Sequence, residues 1–198
     1  MKVYGDIQSG NCYKVALVCA LLDIAHDWIA VDVLGDETST ESFLAKNPNG
    51  KIPVIELDDG RSLWESNAIV NFLARDSHLL PDDSFLLAKV QQWQFFEQYS
   101  HEPYIAVARF IAKYLGLPQE RRNEYESLQA GGHRALGVLD AQLQRTPYLI
   151  GECLTTADIS LYAYTHVADE GGFDLREYAA IQRWLAAIAE QPGYIGMD

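Results

Sequence analysis

The chain has 198 residues, of which 48% are hydrophobic, and this length can fill one substantial core or two small ones. Its formal net charge of -13 repels phosphate backbones and anionic lipid, so we expect neither nucleic acid nor a membrane surface as a partner. Because the sequence has no apolar run long enough to cross a bilayer and no leader-like start, we expect a cytoplasmic protein.

Strand and helix patterns alternate in the first part of the chain. Alternating apolar residues mark the strands, and Asp58-Asp59-Gly60 marks a tight hairpin. In chain order we predict a strand over Lys2–Gly5, a helix over Val15–Ile24, a strand over Trp28–Val33, a helical turn ending before Asn47, strands over Ile52–Leu57 and Arg61–Leu63, and a helix over Glu65–Ala74. This βαβαββα order predicts an α/β, thioredoxin-like domain over residues 1–77.

Only helical patterns follow the Pro81-Asp82-Asp83 cluster. The predicted elements are a long helix that ends near Leu115, a second long helix with Leu128, Gly132, Leu136, Leu139 and Leu143 on one face, and shorter helices over Thr156–Ala168 and Glu177–Ala189. Gly132 permits close helix packing. We therefore predict an all-α domain over residues 84–198.

One helix start in this second domain carries a strong local signal. Thr155 precedes the helix and Asp158 stands three residues later, as in a capping box, while Leu154 and Ile159 form a hydrophobic staple. The signal is structural and does not test for catalysis.

The cysteines argue against a disulfide framework. Cys12, Cys19 and Cys153 form an odd set with no CxxC pair and no histidine spacing suited to zinc. We expect a reducing compartment and no metal site.

Two segments of the first domain could hold an extended, zwitterionic ligand. Pro53 stands at a strand start just before the hairpin, and a cis bond there would turn the backbone of Ile52 outward to pair with a peptide. Ser66 begins a helix whose free amides form a small anion site, and Glu65 beside it could pair with an ammonium. Ser66 as a plain N-cap and Pro53 as an ordinary trans proline are the simpler alternatives. Together the segments suit a γ-glutamyl peptide.

Three motifs together resemble the cytosolic glutathione transferase superfamily, over the whole chain. They are Ser9-Gly10-Asn11, the run from Asn47-Pro48-Asn49-Gly50 through Lys51-Ile52-Pro53-Val54, and Glu65-Ser66-Asn67-Ala68-Ile69. The resemblance implies that Ile52 with cis-Pro53 binds the cysteinyl backbone of glutathione and that Glu65 with Ser66 holds its γ-glutamyl end. Lys51 is a candidate for the glycyl carboxylate or a plain surface lysine.

The first motif leaves the transferase class open. Ser9 lies where Theta- and Delta-like members place a catalytic serine, whereas Ser9-Gly10-Asn11 also resembles the Thr-x-Asn pattern of bacterial Nu-like members. Cys12 is a third possibility, as in Omega- and Beta-like members, although the Pro-Phe that follows the Omega cysteine is missing. We rank Ser9 first as the thiolate donor, with Asn11 beside it. Tyr4 lies inside the first strand, and we expect it to have a packing role.

The resemblance implies an enzyme that conjugates glutathione, as cosubstrate, to small electrophiles. It also implies a homodimer, because family members pair the N-terminal domain of one subunit with the helical domain of the other. Glutathione-dependent disulfide reduction and a non-catalytic interaction module of the same fold are the alternatives. The identity of the electrophile stays open, because it depends on side chains of the helical domain.

Overall fold

The computed structural model describes residues 1–197. The chain forms two compact units, one from Met1–Leu80 together with the residues from Gln191 onward, the other from Pro81–Glu190. Among the described residues, no helix has the length and apolar character that a bilayer crossing requires.

The first unit is a mixed four-stranded sheet with three helices. Its elements are β1 (Lys2–Gly5), α1 (Gly10–Leu21), β2 (Asp27–Ala30), α2 (Glu41–Leu44), β3 (Val54–Glu56), β4 (Ser62–Trp64) and α3 (Ser66–Leu73). The strand order is β2-β1-β3-β4, with β1 parallel to β2 and antiparallel to β3, and β3 antiparallel to β4. The predicted thioredoxin-like order is confirmed.

Helix α1 begins earlier than the pattern predicts. The apolar run indicates a start at Val15, but the helix starts at Gly10, because Ser9 holds the extended backbone of an N-cap residue, with φ -78° and ψ 123°. The first turn and a half therefore contains the polar residues Asn11 and Lys14, and Lys14 is fully buried. This start places the Ser9-Gly10-Asn11 motif at the N-terminus of the helix.

The residues after Gln191 return to α1. The Tyr13 hydroxyl donates a hydrogen bond of 2.7 Å to the carbonyl of Ile195. Gly193 has φ +85°, and a Cβ there would stand 2.8 Å from the carbonyl oxygen of Ala20, so this position needs glycine both for its backbone and for its space. The contacts thus group this segment with the first unit, and the domain limits 1–77 and 84–198 stay a prediction.

The second unit is helical, as predicted. Its elements are α4 (Ser84–Phe96), α5 (Glu102–Arg109), α6 (Arg122–Leu143), α7 (Thr156–Thr165) and α8 (Ala179–Ala189). The long helix predicted to reach Leu115 is α4 continued through α5, with π-helical turns at Glu97–His101 and Phe110–Tyr114.

The capping box at the start of α7 is confirmed and extends well beyond the helix end. Asp158 accepts hydrogen bonds of 2.9 Å from both the amide and the hydroxyl of Thr155. It also accepts from the amide of Leu149 at 2.9 Å and from the indole Nε1 of Trp184 at 3.0 Å. All four residues are buried. One carboxylate therefore joins the start of α7, the preceding loop and helix α8.

Helix α6 approaches its neighbours closely at a glycine. A Cβ on Gly132 would stand 2.2 Å from the buried ring of Phe173, whereas one on Gly137 would meet nothing within 4 Å. The close contact that Gly132 permits is with the side chain of Phe173, which lies outside the helices, so close packing with another helix at this position stays a prediction.

Candidate functional site

Two helix N-termini of the first unit carry four of the predicted site residues, namely Ser9, Asn11, Glu65 and Ser66. Helix α1 starts directly after Ser9, and α3 starts at the buried Ser66 directly after the exposed Glu65. Free amide groups and the positive end of the helix dipole favour an anion at such positions. Ser9 is half-buried, and its side chain makes no capping hydrogen bond to α1.

A hydrogen-bonded triangle joins the two helix starts. The Lys14 ammonium donates to Asn11 Oδ1 at 2.7 Å and to Ser66 Oγ at 3.3 Å. The Ser66 hydroxyl donates in turn to Asn11 Oδ1 at 3.1 Å. Two residues predicted on separate motifs, Asn11 and Ser66, are thus in direct contact. Lys14 was not among the predicted site residues, because it stands just before the apolar run that starts at Val15 and because lysine is rarely buried.

Glu65 has an unusual backbone. Its φ is +71° and its ψ 111°, a region that costs a non-glycine residue on the order of 1–3 kcal/mol. It occupies the N-cap position of α3 without a capping hydrogen bond from its side chain. The carboxylate is therefore held in the solvent beside the helix start at a local cost in stability.

The Ile52–Pro53 peptide bond is cis. Pro53 is buried and Ile52 half-buried, immediately before β3. The preceding turn is fixed by the side chain of Asn47, which donates to the carbonyl of Lys51 at 2.6 Å and accepts from the amide of Asn49 at 2.9 Å. The Lys51 side chain itself is exposed.

The cysteine at this junction lies in an unfavourable place for a thiolate. Cys12 is fully buried, and burial raises its pKa to about 12, against hydrogen bonding from Ser9 and the smaller influence of the Lys14 charge. Cys19 is also buried, and burial raises its pKa to about 11. Since the thiolate is the reactive form, this setting disfavours Cys12 as a nucleophile.

Two family models match the chain. Residues 8–76 match the model described as "Glutathione S-transferase, N-terminal domain", and residues 93–192 match "Glutathione S-transferase, C-terminal domain". The chain belongs to the glutathione S-transferase family. The prediction of a glutathione transferase is confirmed at this level.

Solved and curated members of the glutathione S-transferase family resemble the chain over nearly its full length. A glutathione S-transferase from Pseudomonas fluorescens Pf-5 has 62% identity and a TM-score of 0.98, with 99% of this chain and 98% of that one covered. The glutathione S-transferase-like protein tpcF of Aspergillus fumigatus is 29% identical, with 96% of this chain and 91% of that protein covered.

A different kind of glutathione S-transferase relative also matches. Elongation factor 1-gamma from Artemia salina is 30% identical over 96% of this chain, and the chain spans 44% of that protein. A region similar to this chain therefore also occurs as one part of a longer protein that is named an elongation factor.

Proposed function

We propose that the protein conjugates glutathione to small electrophilic molecules by stabilising the thiolate of glutathione. The observation that supports this proposal is the triangle of Asn11, Lys14 and Ser66, which joins the start of α1 to the start of α3. A free thiol has a pKa of about 8.5, so a neutral-pH transferase must favour the anion. A helix N-terminus with fixed donors supplies such an environment.

In this proposal each predicted residue has one role. The backbone of Ile52, ahead of Pro53, pairs with the cysteinyl part of glutathione, and Glu65 and the amide of Ser66 bind its γ-glutamyl ammonium and carboxylate. Lys51, exposed beside this segment, binds the glycyl carboxylate. Ser9 and Asn11 donate to the sulfur. A cytoplasmic detoxification role fits this chemistry.

Three single variants test the assignment of the thiol donor. Ser9→Ala, Asn11→Ala and Cys12→Ala are each assayed for conjugation, for disulfide reduction and for the pKa of bound glutathione. Loss of one charge-assisted hydrogen bond costs about 1.5–3 kcal/mol, or roughly 10- to 150-fold in rate. We expect a loss of this size in Ser9→Ala, a smaller loss in Asn11→Ala and little change in Cys12→Ala. Loss of disulfide reduction in Cys12→Ala, with conjugation never detectable, would instead indicate a thiol transferase.

The similarity to elongation factor 1-gamma favours a second candidate, a non-catalytic module that uses the fold to bind another protein. Retention on immobilised glutathione distinguishes the two. An enzyme of the proposed kind is retained and is eluted by free glutathione, and Glu65→Ala and Ser66→Ala weaken its retention. A chain that passes through unretained while correctly folded would favour the interaction module.

We also propose a homodimer that uses an aromatic face of the helical unit. Tyr99 is 88% exposed, Phe95 70% and Val138 49%, and an adjoining cavity of about 340 Å³ lies between Phe96, Tyr104 and helix α6. Apolar side chains clustered in this way on a surface mark an interaction site. Light scattering should give twice the chain mass of 22.2 kDa, and Tyr99→Arg should shift it toward the single-chain value. A single-chain mass for the wild-type protein at micromolar concentration would contradict the proposal.

A further inference from the structure

The first unit has a cavity between its sheet and α2, which we call the α2 cavity. Its volume is about 290 Å³, near the lower end of the range of about 300–1,000 Å³ that is usual for small-molecule pockets. None of the residues proposed to bind glutathione lines it. The lining residues include Tyr4, Ile29, Val31, Glu37, Phe43 and Lys46.

The walls of the α2 cavity are mainly apolar. Val31 and Phe43 are buried and form one core cluster with Val54. Ile29, on the edge strand β2, is 37% exposed although its side chain is apolar. A ligand in the cavity would remove apolar surface of this kind from water, which favours binding. We therefore expect a ligand with an apolar body.

Lys46, in the turn after α2, brings a positive charge to this cavity. Its ammonium pairs with Glu56, which does not line the cavity, and stands 5.2 Å from the centroid of the Tyr4 ring. Among residues 1–197, Glu56 and the Tyr4 side chain are the partners of this ammonium. Because an ammonium has three N–H donors, at least one of them is available to a ligand.

The arrangement of charges favours an anion over a cation. Lys46 already lies over the Tyr4 ring, so a ligand cation at that ring would meet a like charge. Glu37 also lines the cavity, but its carboxylate accepts a hydrogen bond of 2.7 Å from the amide of Asp32. The net charge of -13 repels anions at long range, but salt screens exposed charges beyond about 8–10 Å. Direct contact with Lys46 therefore decides.

We propose that the α2 cavity binds a small organic anion, with its carboxylate on the Lys46 ammonium and its aromatic or branched aliphatic body against Ile29, Val31 and Phe43. The site shares no residue with the proposed glutathione site, and the inference does not depend on the proposed function. Ile52 packs against the same core cluster as the cavity wall. The anion is thus a second ligand of the first unit and not a competitor of glutathione.

The test uses probes that share one apolar body and differ in charge, namely phenylpropionate, phenylpropanol and phenylpropylamine. Each is titrated into the isotope-labelled full chain, and the backbone amide shifts in NMR spectra give both the affinity and the place of binding. The variants are Lys46→Met and Lys46→Arg. Lys2→Met is the matched control, because Lys2 pairs with the same Glu56 carboxylate without lining the cavity. Melting temperatures report folding.

We expect phenylpropionate to bind with a dissociation constant of about 0.1–1 mM, as is usual for so small a ligand, and to shift the amides of Ile29, Phe43 and Lys46. Phenylpropanol and phenylpropylamine should bind about tenfold more weakly, because they lose the charge-assisted hydrogen bond. Lys46→Met should weaken phenylpropionate by a similar factor and leave phenylpropanol unchanged. Lys46→Arg and Lys2→Met should stay within about threefold of wild type, and saturating glutathione should not displace the probe.

Equal affinity for all the probes, no detectable binding of phenylpropionate, amide shifts outside the α2 cavity, or displacement by glutathione would overturn the inference and leave the proposed function standing. An unchanged affinity for phenylpropionate in folded Lys46→Met would do the same. Should that variant fail to fold, the probe series on the wild-type chain decides, since it needs no substitution. A wild-type chain that binds phenylpropionate in the α2 cavity but does not bind glutathione would remove the proposed function alone.

Discussion

Each unit of the molecule buries a charged side chain in a hydrogen-bonded cluster. The two clusters differ in whether the partners of that side chain are buried or reach the surface. Asp158 in the helical unit accepts from Leu149, Thr155 and Trp184, all of which are buried. Lys14 in the first unit donates to Ser66 and to Asn11, and Asn11 is half-buried. One cluster is enclosed within the protein, while the other extends through the half-buried Asn11 to the surface at which we propose that glutathione binds.

Because of this difference, we expect the Asp158 cluster to contribute mainly to stability and the Lys14 cluster mainly to function. A carboxylate that accepts hydrogen bonds from several buried donors stabilises the fold, because its removal leaves those donors without an acceptor. A buried ammonium adds little net stability, since replacing buried charged groups by apolar side chains of similar volume is often neutral. We therefore expect variants of the Asp158 cluster to change unfolding and variants of the Lys14 cluster to change glutathione chemistry.

Asp158→Ala gives the largest expected effect. It leaves two buried amides, a hydroxyl and an indole without their acceptor. At about 1 kcal/mol or more for each amide and for the indole, we expect a loss of at least about 3 kcal/mol in the free energy of unfolding by urea titration. Asp83→Ala is the control, because Asp83 caps α4 at an exposed position through the amides of Phe85 and Leu86, and its loss should cost about 0.5–2 kcal/mol. Equal losses of unfolding free energy in both variants, or weaker glutathione binding in folded Asp158→Ala, would contradict a purely structural role of the Asp158 cluster.

Gly132→Ala probes how tightly the helical unit is filled. The added methyl group collides with the ring of Phe173, and overpacking of this kind costs about 1–3 kcal/mol. Gly137→Ala on the same helix meets open space and should stabilise by about 0.5–1 kcal/mol, since alanine suits a helix better than glycine. Thermal unfolding of the pair checks the opposite signs; a shift in the same direction for both would show that contact with Phe173 does not decide the outcome.

Variants of Glu65 test the first unit at a residue whose own backbone conformation is strained. Both Glu65→Ala and Glu65→Gly remove the carboxylate, so both should weaken glutathione binding equally by calorimetry. Only glycine adopts a φ of +71° without a steric cost, so Glu65→Gly should be more stable than Glu65→Ala by about 1 kcal/mol. Equal stability of the two variants would mean that this backbone conformation is not costly here.

Substitution of Glu56 should have the smallest effect on the free energy of unfolding. Its ion pairs with Lys2 and Lys46 are not buried and do not belong to the candidate glutathione site. Hydrogen bonds from Lys46 and Lys2 lower its pKa from 4.5 to about 2, so its stabilisation is present above pH 4.5 and is lost as the pH falls toward 2. At neutral pH, Glu56→Gln should be less stable than wild type by about 1 kcal/mol or less. The difference in free energy of unfolding between wild type and Glu56→Gln should shrink on acidification and in about 1 M salt. A difference that grows on acidification would mean that the pKa of Glu56 is not lowered in the folded protein.

Local sequence signals predicted most of the fold. The strand Lys2–Gly5 was predicted with its observed limits, and the capping box at Thr155 and Asp158 is confirmed, because both depend on residues close in sequence. The contacts of Asp158 with Trp184 and of Lys14 with Ser66 join distant residues. No spacing along the chain encodes such contacts. The sequence placed Ser66 at the start of its helix, but it showed neither that α1 already includes Asn11 nor that a buried lysine joins the two residues.

The bond from Tyr13 to Ile195 makes the first unit discontinuous in sequence, with the whole helical unit translated between its two segments. On the ribosome, the sheet and α1 emerge long before the residues that complete their surroundings. Vectorial folding can therefore finish the first unit only after the helices have left the exit tunnel. A fragment that stops before Gln191 would retain every proposed glutathione-binding residue. It would still lack the C-terminal segment that contacts α1 through Ile195.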